Sequence, residues 1–177
     1  MTHLYKAAAA AIASLALMAG ASAASAASAQ SLGFNQAGQA VTASGQLIQN
    51  VTAPGVIQTT CNVDIYGTVA ADGSSIVFDA YDGVQAPGDG GNLACSESLD
   101  FPIVVTASAA NQINLDQFVV GTRAGPCQEN NYKLAYSGNT ATFSGQPFGI
   151  GGLCNASGSL ALTRDSNGAA VNIVTLP

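Results

Sequence analysis

The chain has 177 residues, four Lys and Arg against ten Asp and Glu, and a formal net charge of −6. So few and so scattered cations exclude a nucleic-acid binder, because neutralising phosphates takes clustered Lys and Arg. They also give anionic lipid little to attract it, while the length suits one domain able to bury a real core.

The first residues carry His3 and Lys6, and residues 7–19 are apolar apart from Ser14. Ala-x-Ala sites then end at Ala23, Ala26 and Ala29. This is the pattern of a secretory signal peptide over residues 1–29, a helix removed on export, with cleavage favoured after Ala29. The apolar run is shorter than the ~20 residues of a comfortable bilayer span. No later run is a candidate, so no membrane span remains after cleavage. The cut leaves Arg123, Lys133 and Arg164 as the only bases, keeps all ten acids for a charge of −7, and removes the one histidine.

Residues 30–55 form a low-charge leader rich in Gln, Ala, Gly and Ser. Gln46-Leu47-Ile48 is a short-strand candidate, followed by the breaker Pro54-Gly55 and a second candidate, Val56-Ile57-Gln58. The leader either docks loosely on the domain of residues 56–177 or pairs with another subunit.

The best-marked stretch begins at Thr59-Thr60-Cys61. Val63, Ile65 and Val69 fall on alternate positions, as do Ile76, Phe78 and Ala80, with Asp72-Gly73 between the runs. Period-two spacing puts these side chains on one face, and Asp-Gly suits a tight hairpin turn. An acidic turn region covers residues 79–92. Asp79, Asp82 and Asp89 there are oxygen ligands in principle for calcium, but their spacing fits no known loop, and no metal is expected. Residues 101–108 and 112–120 read as a hairpin, the second strand alternating Ile113, Leu115, Gln117 and Val119. Gly125-Pro126 breaks the chain. Tyr132, Leu134 and Tyr136, then Ala141 and Phe143, form another hairpin around Ser137-Gly138-Asn139. Gly149-Ile150-Gly151-Gly152 lacks the spacing and following helix of a phosphate cradle. The last hairpin joins residues 156–164 to 169–175 through Asp165-Ser166-Asn167-Gly168. Cys61-Asn62 and Cys154-Asn155 each open a hairpin whose turn lies about ten residues on, a faint internal echo. No helical period appears after Ala29.

Cys61, Cys95, Cys127 and Cys154 all lie in the exported part, and an even count there argues for two disulfides. Three connectivities are open; the pairing in chain order, Cys61–Cys95 with Cys127–Cys154, is favoured. A zinc site has neither a Cys-x-x-Cys pair nor a histidine to support it. The expected fold is all-β: a disulfide-stapled β-sandwich of roughly eight to ten short antiparallel strands.

Without histidine, Ser-His-Asp and Cys-His catalysis are excluded. A carboxylate pair drawn from Asp64, Asp79, Asp82, Glu97, Asp100, Asp116 and Glu129 is the remaining catalytic possibility, and solvated surface is the ordinary place for such acids. No catalytic residue and no cofactor is expected. A carbohydrate-binding sandwich would lean on aromatics, and only Tyr66, Tyr81, Tyr132 and Tyr136 are on offer, better read as packing residues. Uncharged strands favour self-association, extracellular matrix components or hydrophobic surfaces as partners.

Several short motifs resemble one family. They are Cys-x-Val-x-Ile-x-Gly-Thr-Val-x-x-Asp-Gly-Ser at residues 61–74, Cys95 ahead of Phe101-Pro102-Ile103, Gly-Pro-Cys at 125–127, and Cys-x-x-Ser-Gly-Ser-Leu at 154–160. Together with the signal peptide, this is similar to the bacterial alkane-oxidation protein activators, the Pra proteins. The resemblance implies a small secreted, non-catalytic protein linked to growth on hydrocarbons and to the biofilm matrix. It offers no catalytic residues, and the acidic loop at 79–92 departs from it. Thr59-Thr60-Cys61-Asn62-Val63 after an uncharged leader also resembles chaperone–usher pilus subunits, which trade strands. Four cysteines and the ending Val174-Thr175-Leu176-Pro177 depart from that pattern.

Overall fold

A computed structural model describes residues 30–52, 56–89, 95, 99–121 and 126–177. The segment 1–29 read as a signal peptide, Glu97, Arg123 and the Pro54-Gly55 breaker lie outside the described residues.

The described residues form ten strands: β1 (Leu32–Phe34), β2 (Ala40–Thr52), β3 (Val56–Val69), β4 (Ser75–Gln85), β5 (Ile103–Ala109), β6 (Gln112–Val120), β7 (Cys127–Ser137), β8 (Thr140–Phe148), β9 (Cys154–Arg164) and β10 (Ile173–Thr175). Strands β2 to β9 pair antiparallel, each with the next, and β9 returns to β2 to close a barrel. The expected two-sheet sandwich is therefore corrected to a closed eight-stranded barrel. The reason is β2. It pairs with β3 from Ala40↔Thr68 to Thr52↔Val56, and with β9 from Val41↔Arg164 to Val51↔Cys154. Residues read as a loose leader supply the stave that joins the first hairpin to the last. With hydrogen bonds on both sides, β2 has no free edge to lend to another subunit.

The alternation follows the barrel wall. Val41, Ala43 and Leu47 on β2, Val63 and Ile65 on β3, and Leu160 and Leu162 on β9 point inward and are buried. Thr42, Ser44, Gln46 and Asn50 on β2 alternate with them. An apolar interior and polar exterior reverse the pattern of a bilayer-spanning barrel. Among the described residues no helix is long and apolar enough to cross a membrane.

Two irregularities shift the inward face. The β3–β4 register slips between Tyr66 and Gly67, so that Tyr66 faces Ala80 while Gly67 faces Phe78. Asp79 is the extra residue of this bulge. Ala80, expected inside, is exposed, and Tyr81 turns in to pack against the core. On β7, Asn131 adopts φ 56 opposite the middle of β6. Beyond that bend Phe118 and Val120 are buried on β6, in place of Gln117 and Val119.

The first and last strands meet at one mouth of the barrel, where β1 and β10 form a separate ribbon in register Leu32↔Thr175 to Phe34↔Ile173. The expected hairpin between β9 and residues 169–175 is reduced to the single bridge Thr163↔Ala170, because β8 already occupies that flank of β9 from Cys154 to Ala161 and β2 the other. Phe34 and Val171 plug the mouth and are fully buried. The Phe34 amide donates to the Gly73 carbonyl at 2.7 Å, and the Tyr136 hydroxyl donates to the Val171 carbonyl at 2.6 Å. A Cβ on Gly33 would run into the Gly73 carbonyl and the Leu176 side chain, so glycine there lets the ribbon lie flat on the β3–β4 turn.

Candidate functional site

The opposite mouth carries both disulfides. Cys61 on β3 is bonded to Cys95, with Cα atoms 5.6 Å apart, and Cys127 at the start of β7 to Cys154 at the start of β9, 6.2 Å apart. The first ties the long β4–β5 connection to the barrel wall. The Tyr81 hydroxyl reinforces it, donating to the Cys95 carbonyl at 2.8 Å and accepting from the Leu99 amide at 3.3 Å, while its ring stacks on Phe101. The second reaches across β8 and pins the β8–β9 connection. All four sulfurs are buried and covalently paired, which places the folded chain in an oxidising compartment.

Behind this mouth Phe118, Tyr132, Phe143 and Phe148 form a tight aromatic cluster, with Phe118 5.2 Å from Tyr132 and 5.3 Å from Phe148. Burial, and then the charge of Glu129, push the Tyr132 hydroxyl above its ordinary pKa. Below the cluster the interior is lined by apolar side chains such as Leu47, Ile65, Leu115 and Leu162, around a cavity of about 40 Å³. An eight-stranded barrel has room either for its own side chains or for one small ligand. Here the side chains fill it: a benzene-sized guest needs about 150 Å³.

Among the described acids of the candidate set, Asp64 and Asp82 come together, and they do so on the exposed outer wall rather than in a cleft. They face each other across β3 and β4, and Asp82 accepts from the Tyr66 hydroxyl at 3.1 Å. That bond, more than any other influence, holds the Tyr66 hydroxyl above its ordinary pKa. Asp79 sits exposed on the bulge, and Asp89 accepts from the Thr60 amide. Asp116 accepts from Asn114 at 3.2 Å, and Glu129 from the Gly149 amide at 3.4 Å. Asp100 accepts from the neighbouring Phe101 amide. Among the described residues no three His, Cys, Asp or Glu gather as a metal site. The calcium candidates Asp79, Asp82 and Asp89 thus lie at separate places on β4 and its loop, Asp82 and Asp89 with partners of their own.

One feature of this mouth was not singled out from sequence. Between Phe148 and Cys154 a 3-10 turn, Ile150–Gly152, lifts Ile150 into solvent with 93 % of its surface exposed, beside Leu153 at 45 %. Gly149, Gly151 and Gly152 hold φ of 74°, 71° and 66°, which glycine takes without strain. The turn is therefore built from the residues best suited to it, and its projecting side chain is apolar. An isoleucine inside a glycine-rich turn was the signal available.

No curated protein and no solved structure matches the chain. Residues 1–169, which take in the cysteine-anchored hairpins, both disulfides and the closing stave, match the family model of the alkane oxidation protein activator PraA/PraB-like proteins, and the chain belongs to that family.

Proposed function

We propose that this is an exported, non-catalytic protein of the extracellular matrix or cell surface, which aids alkane use by adsorbing or assembling rather than by turnover. The observation that carries this reading is the self-filled barrel: the cavity of about 40 Å³ is apolar, and the acids are spread over the outer wall. The family's name is that of an activator, and a poorly soluble substrate is helped by a protein that changes how cells or droplets meet. Two staples suit life outside the cell, where the chain must survive without chaperones.

The test begins with fractionation of a producing culture into cells, matrix and medium, and gel filtration of the purified protein. Interfacial tension at a hexadecane–water interface is then measured with the disulfide-bonded protein. Recovery in the matrix or at the cell surface, with lowered tension or large assemblies, is expected. A monomer confined to the medium, with no effect on the interface, would overturn the reading in favour of a soluble binding module.

A further inference from the structure

The charges of this chain are distributed unevenly, and the barrel order makes that matter. Residues 30–63 contain no Asp, Glu, Lys or Arg, and neither do residues 134–163. These stretches are far apart in sequence. In the barrel they become neighbours, because β8 pairs with β9, β9 with β2, and β2 with β3. The outer wall of this sector is built of amides and hydroxyls that bond to one another. Gln46 donates to Asn62 at 3.2 Å, and Asn50 donates to Asn155 at 2.8 Å. Among the described residues the charges lie at its borders. Asp64 and Asp89 flank it on the β3 side, Glu129 and Lys133 on β7, and Arg164 and Asp165 at the far mouth. Glu129, near the start of β7, is engaged with the Gly149 amide at the base of the turn. At the upper end of the same sector stand Ile150 and Leu153, the latter held by its carbonyl to the Thr52 amide at 2.8 Å.

Resting on the adsorption reading above, we infer that this sector, led by Ile150 and Leu153, is the surface that meets a hydrocarbon–water interface. A charge brought against an apolar phase loses hydration with nothing to replace it. A chain with three bases against ten acids after residue 29 is therefore held off such a phase wherever its carboxylates face it. The sector is where the wall can approach closely. The turn supplies two apolar side chains that enter the oil, on a base fixed by the Cys127–Cys154 bridge. Uncharged amides and hydroxyls behind the tip remain in the water layer. The same negative charge disfavours an anionic membrane as the occupant.

The experiment compares full-length, disulfide-bonded proteins by drop tensiometry at the hexadecane–water interface. Ile150→Ser/Leu153→Ser removes the tip. Val84→Ser is the control for an exposed apolar side chain outside the turn, since Val84 is 64 % exposed on β4, across from Asn62 at the sector's border and beside the carboxylate of Asp82. Ser157→Asp and Gln46→Glu place charge on the wall while leaving the tip intact. The tip variant should need about tenfold more protein for the same fall in tension, the wall variants should adsorb more slowly, and Val84→Ser should match the parent. Equal adsorption by parent and tip variant, or an equal loss in Val84→Ser, overturns the assignment of the surface while leaving adsorption standing. Tighter binding to phosphatidylcholine vesicles than to oil overturns the choice of occupant. A parent protein that leaves tension unchanged overturns both readings.

Discussion

Removing the Cys127–Cys154 bridge by replacing both residues with Ala should destabilise the domain by a calculable amount. The bridge spans 27 residues and its partner, Cys61–Cys95, spans 34. In the chain-entropy picture, loops of these lengths correspond to about 3.6 and about 3.8 kcal/mol at 25 °C. Residues 61–95 and 127–154 do not overlap, so the two effects should add to within a few tenths of a kcal/mol. The sum, about 7 kcal/mol, is comparable to the whole stability of an ordinary domain. Each single-bridge variant should stay folded, and the variant lacking both should not. Urea unfolding at 25 °C reads this out. With a slope of about 2 kcal/mol per M, each loss lowers the midpoint by about 2 M. A fall of less than about 0.5 M for either pair would refute the reasoning. It would mean that the denatured chain is already compact between those positions, so that the bridge removes little freedom.

Deleting residues 30–39 takes away β1 and Phe34 but leaves the ring intact. It should cost about 3–5 kcal/mol, whereas deletion through Thr52 removes a stave and should leave no cooperative melting transition by circular dichroism. Tyr136→Phe leaves the buried Val171 carbonyl without its donor and should cost about 1–2 kcal/mol in the same urea assay. Burial also raises the Tyr136 pKa above the ordinary 10.0. Its contribution is therefore present in full below pH 10 and lost as pH rises from there toward the folded-state value, so Tyr136→Phe should flatten the alkaline limb of the stability curve. Millimolar calcium should leave the melting temperature unchanged, since Asp82 and Asp89 are engaged with Tyr66 and Thr60 and Asp79 stands apart on the bulge. A rise of many degrees, reversed by chelator, would show that these acids gather after all.

The hairpin of β3 and β4 was legible because Val63, Ile65 and Val69 alternate and Asp72-Gly73 punctuates them. Strand β2 alternates too, with Val41, Ala43, Leu47 and Val51 buried, but a small Ala43, a glycine at 45 and an inward Gln49 weaken its hydrophobic signal. That loss decided between sandwich and barrel, since local alternation is the same in both and only the β2–β9 pairing separates them. The faces of Tyr81 and Phe118 were hidden for a different reason: a bulge at Asp79 and a positive φ at Asn131 reverse the phase within a strand. The two charge-free runs could be read directly. Their adjacency could not, because it depends on the ring order.

The seam between β2 and β9 sets the order in which the molecule can be made. Its pairs, from Val41↔Arg164 to Val51↔Cys154, join residues more than a hundred positions apart. Loop-closure entropy makes such pairs the last to form. A chain emerging N-terminus first can pair β2 with β3 early but has nothing for the other edge of β2 until β9 is out, so the ring stays open through nearly all of synthesis or passage. The β3–β4 and β7–β8 hairpins need no such wait, and each disulfide spans one of them. Such a chain can carry its staples before it has its barrel, and its final step is the entry of Phe34 and Val171 into the last open mouth.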